Sequence, residues 1–91
     1  MRMYYVDALK NARAILSSSE YTQAQRKFME WKEGMAGANE FRLESLVAEA
    51  NAYFTALGKS SPMVFGAMKV QRKQLSELAM RKRTGIRAVL D

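Results

Sequence analysis

The stretch from Ser61 to Arg83 constrains the fold most, because it contains the longest helical pattern in the chain and the clearest helix start. Ser61 can cap a helix, and Pro62 suits the first helical position, where the backbone needs no N–H donor. Since an α-helix turns by about 100° per residue, a subset of the apolar residues falls on one narrow arc. That subset is Val64, Ala67, Met68, Leu75 and Leu78. We therefore predict a helix over 62–83 whose apolar arc faces a core.

The side of this helix opposite the apolar arc is basic and also carries two large apolar residues. Together with the basic run at 81–83, it supplies the candidate binding residues, which are Phe65, Lys69, Arg72, Lys73, Met80, Arg81, Lys82 and Arg83. Basic residues around apolar ones suit a binding surface, because charge speeds the encounter with a partner and buried apolar area prolongs its residence.

The net charge of +6 is distributed unevenly along the chain. Residues 1–58 contain seven basic and seven acidic residues, and the segment after Gly58 contains eight basic against two acidic ones. The whole excess of positive charge therefore lies in the last third of the chain. Such asymmetry indicates an anionic partner more strongly than a uniformly basic surface would.

Three further helices are predicted before Ser61, because apolar residues recur there at every third or fourth position. They run at about 3–16, 18–33 and 40–57. The aromatic stripe of the middle one, which includes Phe28 and Trp31, could serve as a platform for stacked bases, but its helical spacing favours a core face. The predicted fold class is therefore all-α: one domain, 1–91, with a small bundle of three to four helices, the C-terminal helix being the longest and basic.

Local signals mark the ends of these helices. Ser17 and Glu20 have the spacing of a capping box, in which the two side chains satisfy backbone N–H donors at a helix start. Asn39 is a good N-cap for the helix that follows it. Gly34 and Gly58 are expected to end helices, because glycine adopts the left-handed conformation at little cost.

A break in the pattern at Thr84 and Gly85 separates the basic helix from an apolar stretch at 86–90. This stretch is predicted to be a short tail, either a final turn packed on the fold or a segment that orders on a partner. A domain of 91 residues buries only about 60 to 70% of the surface that its unfolded chain exposes. Modest stability is therefore expected, and self-association as a homo-oligomer stays open.

The residue types that are missing exclude most catalytic and metal-binding classes. The chain has no cysteine and no histidine, which removes disulfides, thiol catalysis, the usual general base and the commonest metal ligand. The carboxylates are scattered, and only Glu40 and Glu44 stand four residues apart on a helix. No glycine-rich phosphate loop is present. We therefore expect a non-enzymatic protein with no metal site and no cofactor.

No apolar run approaches the roughly 20 residues that a membrane-spanning helix needs, and residues 1–16 lack the apolar core of a signal peptide. A membrane-surface helix at 62–83 is also disfavoured, because the protein core needs the apolar arc. We therefore expect a cytoplasmic location and no membrane partner.

Two kinds of partner fit the basic side of the last helix. The first is nucleic acid, whose phosphates the cations would neutralise, so that binding would weaken as salt rises. The second is an acidic protein surface, with Phe65 and Met80 as apolar anchors. In that case the chain itself would be an inhibitor or adaptor that docks on a host nucleic-acid-handling protein or complex. Phages and mobile elements use proteins of this kind, and the comparison is an analogy of size and composition. A further alternative is that the basic face is simply solvated and binds no partner. We predict nucleic-acid binding first.

A helix-turn-helix is a further alternative, since short connections join successive helices. The start of the helix at 62–83 offers no side chain that reads bases. The start of the helix at 18–33 does, with Ser19, Thr22, Gln23 and Arg26. An ordinary helical hairpin is the more economical interpretation of both pairs.

Overall fold

The computed structural model describes the backbone of residue 10 and of residues 12–90, and the side chains of residue 10 and of residues 12–83. Its helices in chain order are α1, which includes residues 12–17, then α2 (Ser19–Ala36), α3 (Glu40–Ser60), α4 (Pro62–Ala67) and α5 (Lys69–Leu90). The described residues contain no strand, which confirms the all-α fold class. Helices α2, α3 and α5 have 18, 21 and 22 residues.

The start of α2 differs by one residue from the prediction. Ser18 is the N-cap, and its Oγ accepts a hydrogen bond from the Tyr21 backbone N–H at 3.0 Å. The hydroxyl of Ser17 instead donates to the Arg13 carbonyl at 2.9 Å, within α1. The capping box predicted for Ser17 and Glu20 is therefore wrong. Neighbouring serines offer the same capping chemistry, and α1 ends at Ser17, so that Ser18 is the cap.

Helices α2 and α3 both continue for two residues past the glycines that were expected to end them, so the predicted ends at about 33 and 57 are three residues short. No described glycine has a positive φ. Gly34 instead permits the close approach of α2 and α3, since a Cβ at Gly34 would lie 3.2 Å from Leu46 Cδ1. Gly58 lies against the ring of Phe65, since a Cβ at Gly58 would lie 3.4 Å from Phe65 Cδ2. Both glycines are contact positions within helices.

The predicted helix over 62–83 is two helices. Pro62 does occupy the first position of α4, but α4 ends at Ala67, and Met68 has φ −91° and ψ 10° before α5 begins. Gly66 makes departure from the helix easier, because glycine is a poor helix former. Met68 is fully buried at the break. This geometry lets α4 pack on α3 while α5 packs mainly on α2, and it leaves Ala67, predicted for the core arc, exposed.

The chain is helical at both ends of its described part. The helix predicted at about 3–16 lies largely outside the described residues, but residue 10 and residues 12–17 are helical. Helix α5 passes through Gly85 to Leu90, so the predicted break before 86–90 is wrong for the backbone, and the side chains there lie outside the described residues. Across the described chain, no helix is both long and apolar enough to cross a membrane.

The core lies between α2, α3 and the α4–α5 pair. Its buried residues are Ala24, Phe28, Trp31, Met35, Leu43, Leu46, Ala50, Phe54, Leu57, Val64, Met68, Leu75 and Ala79. Trp31, Tyr53 and Phe54 form an edge-to-face aromatic cluster with ring centroids between 5.3 and 5.6 Å apart. The aromatic stripe of α2 is therefore a core face, as its spacing predicts. Burial in this cluster raises the pKa of the Tyr53 hydroxyl above its ordinary value of 10.0.

Candidate functional site

A groove of about 560 Å³ lies between α3 and α5. It forms because α5 packs mainly on α2 and α4 packs on α3, so that α3 and α5 contact each other over a shorter length. Its floor consists of buried apolar side chains, which are Met35, Ala50, Phe54, Leu75 and Ala79. One side, called here the α3 rim, is lined by Val47, Asn51, Thr55 and Gly58. The other side is lined by Phe65, Arg72, Ser76, Met80 and Arg83.

Arg72 makes two contacts with Phe65 at this groove. Its guanidinium carbon lies 3.6 Å from the centroid of the Phe65 ring, and its Nη2 donates a hydrogen bond to the Phe65 carbonyl at 3.0 Å. The Arg72 Nε is buried and has no hydrogen-bond partner among the described residues. Arg72 therefore brings a fixed, planar positive charge to the groove with one donor still unsatisfied.

The two apolar residues predicted as binding anchors have different positions. Phe65 is half-buried, packs against the core and carries Arg72 over its ring. The expectation that the core leaves Phe65 free is therefore wrong, because the break at Met68 turns α4 onto α3. Met80 is 63% exposed at the edge of the groove, so it remains available to a partner.

Four of the predicted cations share one side of α5. They are Lys69, Arg72, Lys73 and Arg83, and we call them the basic stripe. At about 100° per residue they fall within an arc of about 100°, and at about 1.5 Å per residue they extend over about 21 Å. Lys69, Lys73 and Arg83 are exposed. Arg72 is half-buried and forms the inner edge of the stripe, next to the groove floor.

The other two predicted cations lie elsewhere. Lys82 is half-buried, and its Nζ donates a hydrogen bond to the carbonyl of Ala36 at 2.9 Å, at the C-terminal end of α2. A cation there complements the negative end of the helix dipole, so Lys82 joins α5 to α2. Arg81 is exposed but lies roughly 120° around the helix from the middle of the basic stripe.

No cation of the basic stripe forms a salt bridge with a described carboxylate. Among the described side chains, the ion pair that forms is Lys27 with Glu30 in α2, with an N–O distance of 3.9 Å. The acidic residue within α5 is Glu77, and it makes no such pair. The α3 rim carries no charged side chain. One side of the groove is therefore positive and the other is neutral.

The uncharged groove residues were not found by sequence reasoning. Asn51 and Thr55 stand on the α3 rim, and Ser76 stands opposite them on α5. A usable signal was their placement beside apolar core positions such as Ala50, Phe54 and Leu75 in the sequence. Each polar residue directly follows a core residue, which puts it at the edge of the buried face.

The helix-turn-helix alternative fails at α4. Val64 is buried and Phe65 packs against the core, and the exposed residues of this turn, Pro62 and Met63, have no side chain that reads bases. The exposed polar residues at the start of α2 lie on another helix and do not line the groove between α3 and α5. Within the residues that the structure describes, no group of three acidic residues is placed to hold a metal ion.

The chain matches no protein-family model, and no curated protein or solved structure shows detectable similarity to it.

Proposed function

We propose that this is a non-enzymatic protein that binds nucleic acid through the basic stripe of α5. The observation that carries the proposal is the row of cations without carboxylate partners. Lys69, Lys73 and Arg83 are exposed on one side of a single helix, and Arg72 adds a fourth charge at its inner edge. A rigid row of cations about 21 Å long is matched to a polyanion whose phosphates follow one another at regular spacing.

Binding of an acidic protein surface is the second candidate, and Met80 favours it. Its side chain is 63% exposed between cations of the stripe, where it could be buried by a partner. Phe65 adds less to this surface, because it is half-buried against the core and carries Arg72 over its ring. Met63 and Val70 are also exposed on α4 and α5, but they do not line the groove, so Met80 is the strongly exposed apolar anchor at the groove itself.

Fluorescence anisotropy with labelled single-stranded and duplex oligonucleotides tests the proposal. The wild-type protein should bind at about 20 mM salt and lose affinity by at least tenfold at about 200 mM, since each neutralised phosphate contributes a counterion-release term. The variant with Lys69→Glu, Lys73→Glu and Arg83→Glu should lose binding at both salt concentrations.

A matched control carries Arg13→Glu, Lys32→Glu and Arg42→Glu. These three cations are exposed on α1, α2 and α3, and the control has the same formal net charge as the stripe variant. It should keep most of the affinity. The proposal is overturned if the wild-type protein shows no salt-sensitive binding at low salt, or if both variants lose affinity equally. Circular dichroism should show the same helix content in all three proteins.

A further inference from the structure

We propose that the nucleic acid is single-stranded and that its unpaired bases lie in the groove between α3 and α5 while its phosphates follow the basic stripe. This inference rests on the proposed function and names the form of nucleic acid that the site accepts.

The unequal sides of the groove are the first argument. Cations line only the α5 side, and the α3 rim is neutral. A duplex seated along the groove would bring a phosphate backbone to each side, and the α3 rim has no cation for the second one. A single strand has its phosphates on one side and its bases on the other. The charge pattern therefore complements one strand whose bases point from α5 towards α3.

The groove also has the chemistry that an unstacked base needs. Its floor is apolar, and its volume of about 560 Å³ falls within the range of about 300 to 1,000 Å³ that is usual for clefts that bind small molecules. The guanidinium of Arg72 is held against the ring of Phe65, and proteins use such Arg planes to stack bases. The Arg72 side chain also lines the groove, so its positive charge lies close to any base or phosphate that enters there.

Polar groups on both sides of the groove can contact base edges. Asn51 and Thr55 line one side, and Ser76 lines the other. Amide and hydroxyl groups are suited to the mixed donors and acceptors of base edges, which only an unpaired base presents in full. An acidic amphipathic helix is the competing occupant, and its apolar face would have to lie against the polar side chains of Asn51, Thr55 and Ser76.

Three labelled 12-mers of equal length separate these possibilities: a single-stranded DNA, the corresponding duplex, and a single strand of abasic residues with the same number of phosphates. We expect the single strand to bind at least tenfold more tightly than the abasic strand and more tightly than the duplex. An RNA 12-mer of the same sequence identifies which sugar the site prefers, and tighter binding than the abasic strand by either RNA or DNA supports the inference.

A groove variant with Thr55→Leu and Ser76→Leu narrows the site with aliphatic side chains, which cannot stack on bases. It should reduce the affinity for the single strand to that for the abasic strand and leave the abasic affinity unchanged. The control variant carries Ser45→Leu and Ala56→Leu, at exposed positions of α3 outside the groove, and it should bind like the wild-type protein.

The outcomes distinguish the two proposals. If no oligonucleotide binds at low salt, the proposed function itself fails. If single strand, duplex and abasic strand bind equally and binding depends on the basic stripe, the proposed function stands and the groove inference is overturned. It is also overturned if the groove variant keeps full single-strand affinity, or if a labelled acidic amphipathic peptide binds through the groove while oligonucleotides do not.

Discussion

Helix α3 has a closed contact on one flank and an open one on the other. Against α2 it forms an aromatic cluster, and Gly34 brings the two helices close enough that a single added carbon would touch Leu46. Against α5 it leaves a groove bordered by arginines. The same helix thus contributes stability on one side and a surface for binding on the other. Substitutions on the closed flank should change folding, whereas those on the open flank should change binding.

The largest expected effect is on the closed flank. Trp31→Ala should lower the free energy of unfolding by about 3 to 5 kcal/mol, because the Trp31 side chain is 3% exposed and touches two other rings. Met80→Ala, on the open flank, should lower it by less than about 1 kcal/mol. Urea denaturation followed by circular dichroism measures both. Trp31→Phe provides a milder variant if Trp31→Ala does not fold, and equal losses for Trp31 and Met80 variants would contradict the division between flanks.

The close approach at Gly34 provides the next test. Gly34→Val should lower the free energy of unfolding by about 1 to 3 kcal/mol, because its side chain would overpack the contact with Leu46. Gly37→Ala is the control. A Cβ at Gly37 meets nothing within 4 Å, and φ there is −102°, so alanine should be tolerated within about 0.5 kcal/mol. If Gly34→Val leaves the free energy of unfolding unchanged, the Leu46 side chain or the α2–α3 contact adjusts without cost, and the close approach at Gly34 is not needed for stability.

Arg72→Lys sharpens the comparison on the open flank. Lysine keeps the charge but loses the stacking on Phe65 and the hydrogen bond to its carbonyl. We expect a loss of about 1 kcal/mol in the free energy of unfolding and a smaller preference for single-stranded over abasic oligonucleotide in anisotropy titrations. Lys73→Arg, at an exposed position, should change neither quantity. If Arg72→Lys also changes neither, the ordered guanidinium has no role.

Lys82→Met separates a structural cation from a binding one. Loss of the hydrogen bond to Ala36 should lower the free energy of unfolding by about 0.5 kcal/mol, as expected for a cation at the end of a helix. Oligonucleotide affinity should stay within about twofold of the wild-type value. If Lys82→Met lowers the affinity as much as Lys73→Met does, Lys82 belongs to the binding surface.

The smallest effect should come from the titration of Tyr53. Its pKa is raised in the folded protein, chiefly by burial, so the neutral hydroxyl is favoured there. The stability that this contributes is present below the ordinary pKa of 10.0 and is lost as pH rises through the higher folded pKa. Urea denaturation of wild-type protein and Tyr53→Phe between about pH 9 and 11 measures the difference. The wild-type protein should lose more stability over that range, and parallel curves would contradict the shift.

The elements dominated by local chemistry could be predicted from the sequence. The spacing of Phe28 and Trp31 gives the buried face of α2, and Asn39 caps α3 through a hydrogen bond from the Arg42 backbone N–H at 2.8 Å. Adjacent serines were not distinguishable, because Ser17 and Ser18 have the same capping chemistry. The helix ends expected at Gly34 and Gly58 were wrong, since glycine also serves close contacts within helices.

The candidate site was only partly predictable, because it depends on residues distant in the chain. Placement around a continuous helix groups the four cations of the basic stripe on one side, and all four lie within α5. It could not show that the helix is interrupted at Met68, where φ is −91°, ψ is 10° and the side chain is fully buried. It also could not bring Asn51 opposite Ser76 or place Arg72 on Phe65.

The break at Met68 is a point where the direction of α5 relative to α4 is set. Helix α5 starts immediately after this fully buried residue, and Arg83 lies about 21 Å along it. A change of about 10° in the angle between α4 and α5 would therefore move Arg83 by about 4 Å. The packing of α5 on α2 and the hydrogen bond from Lys82 to the Ala36 carbonyl oppose such a movement, so the contact with α2 helps to hold the width of the groove.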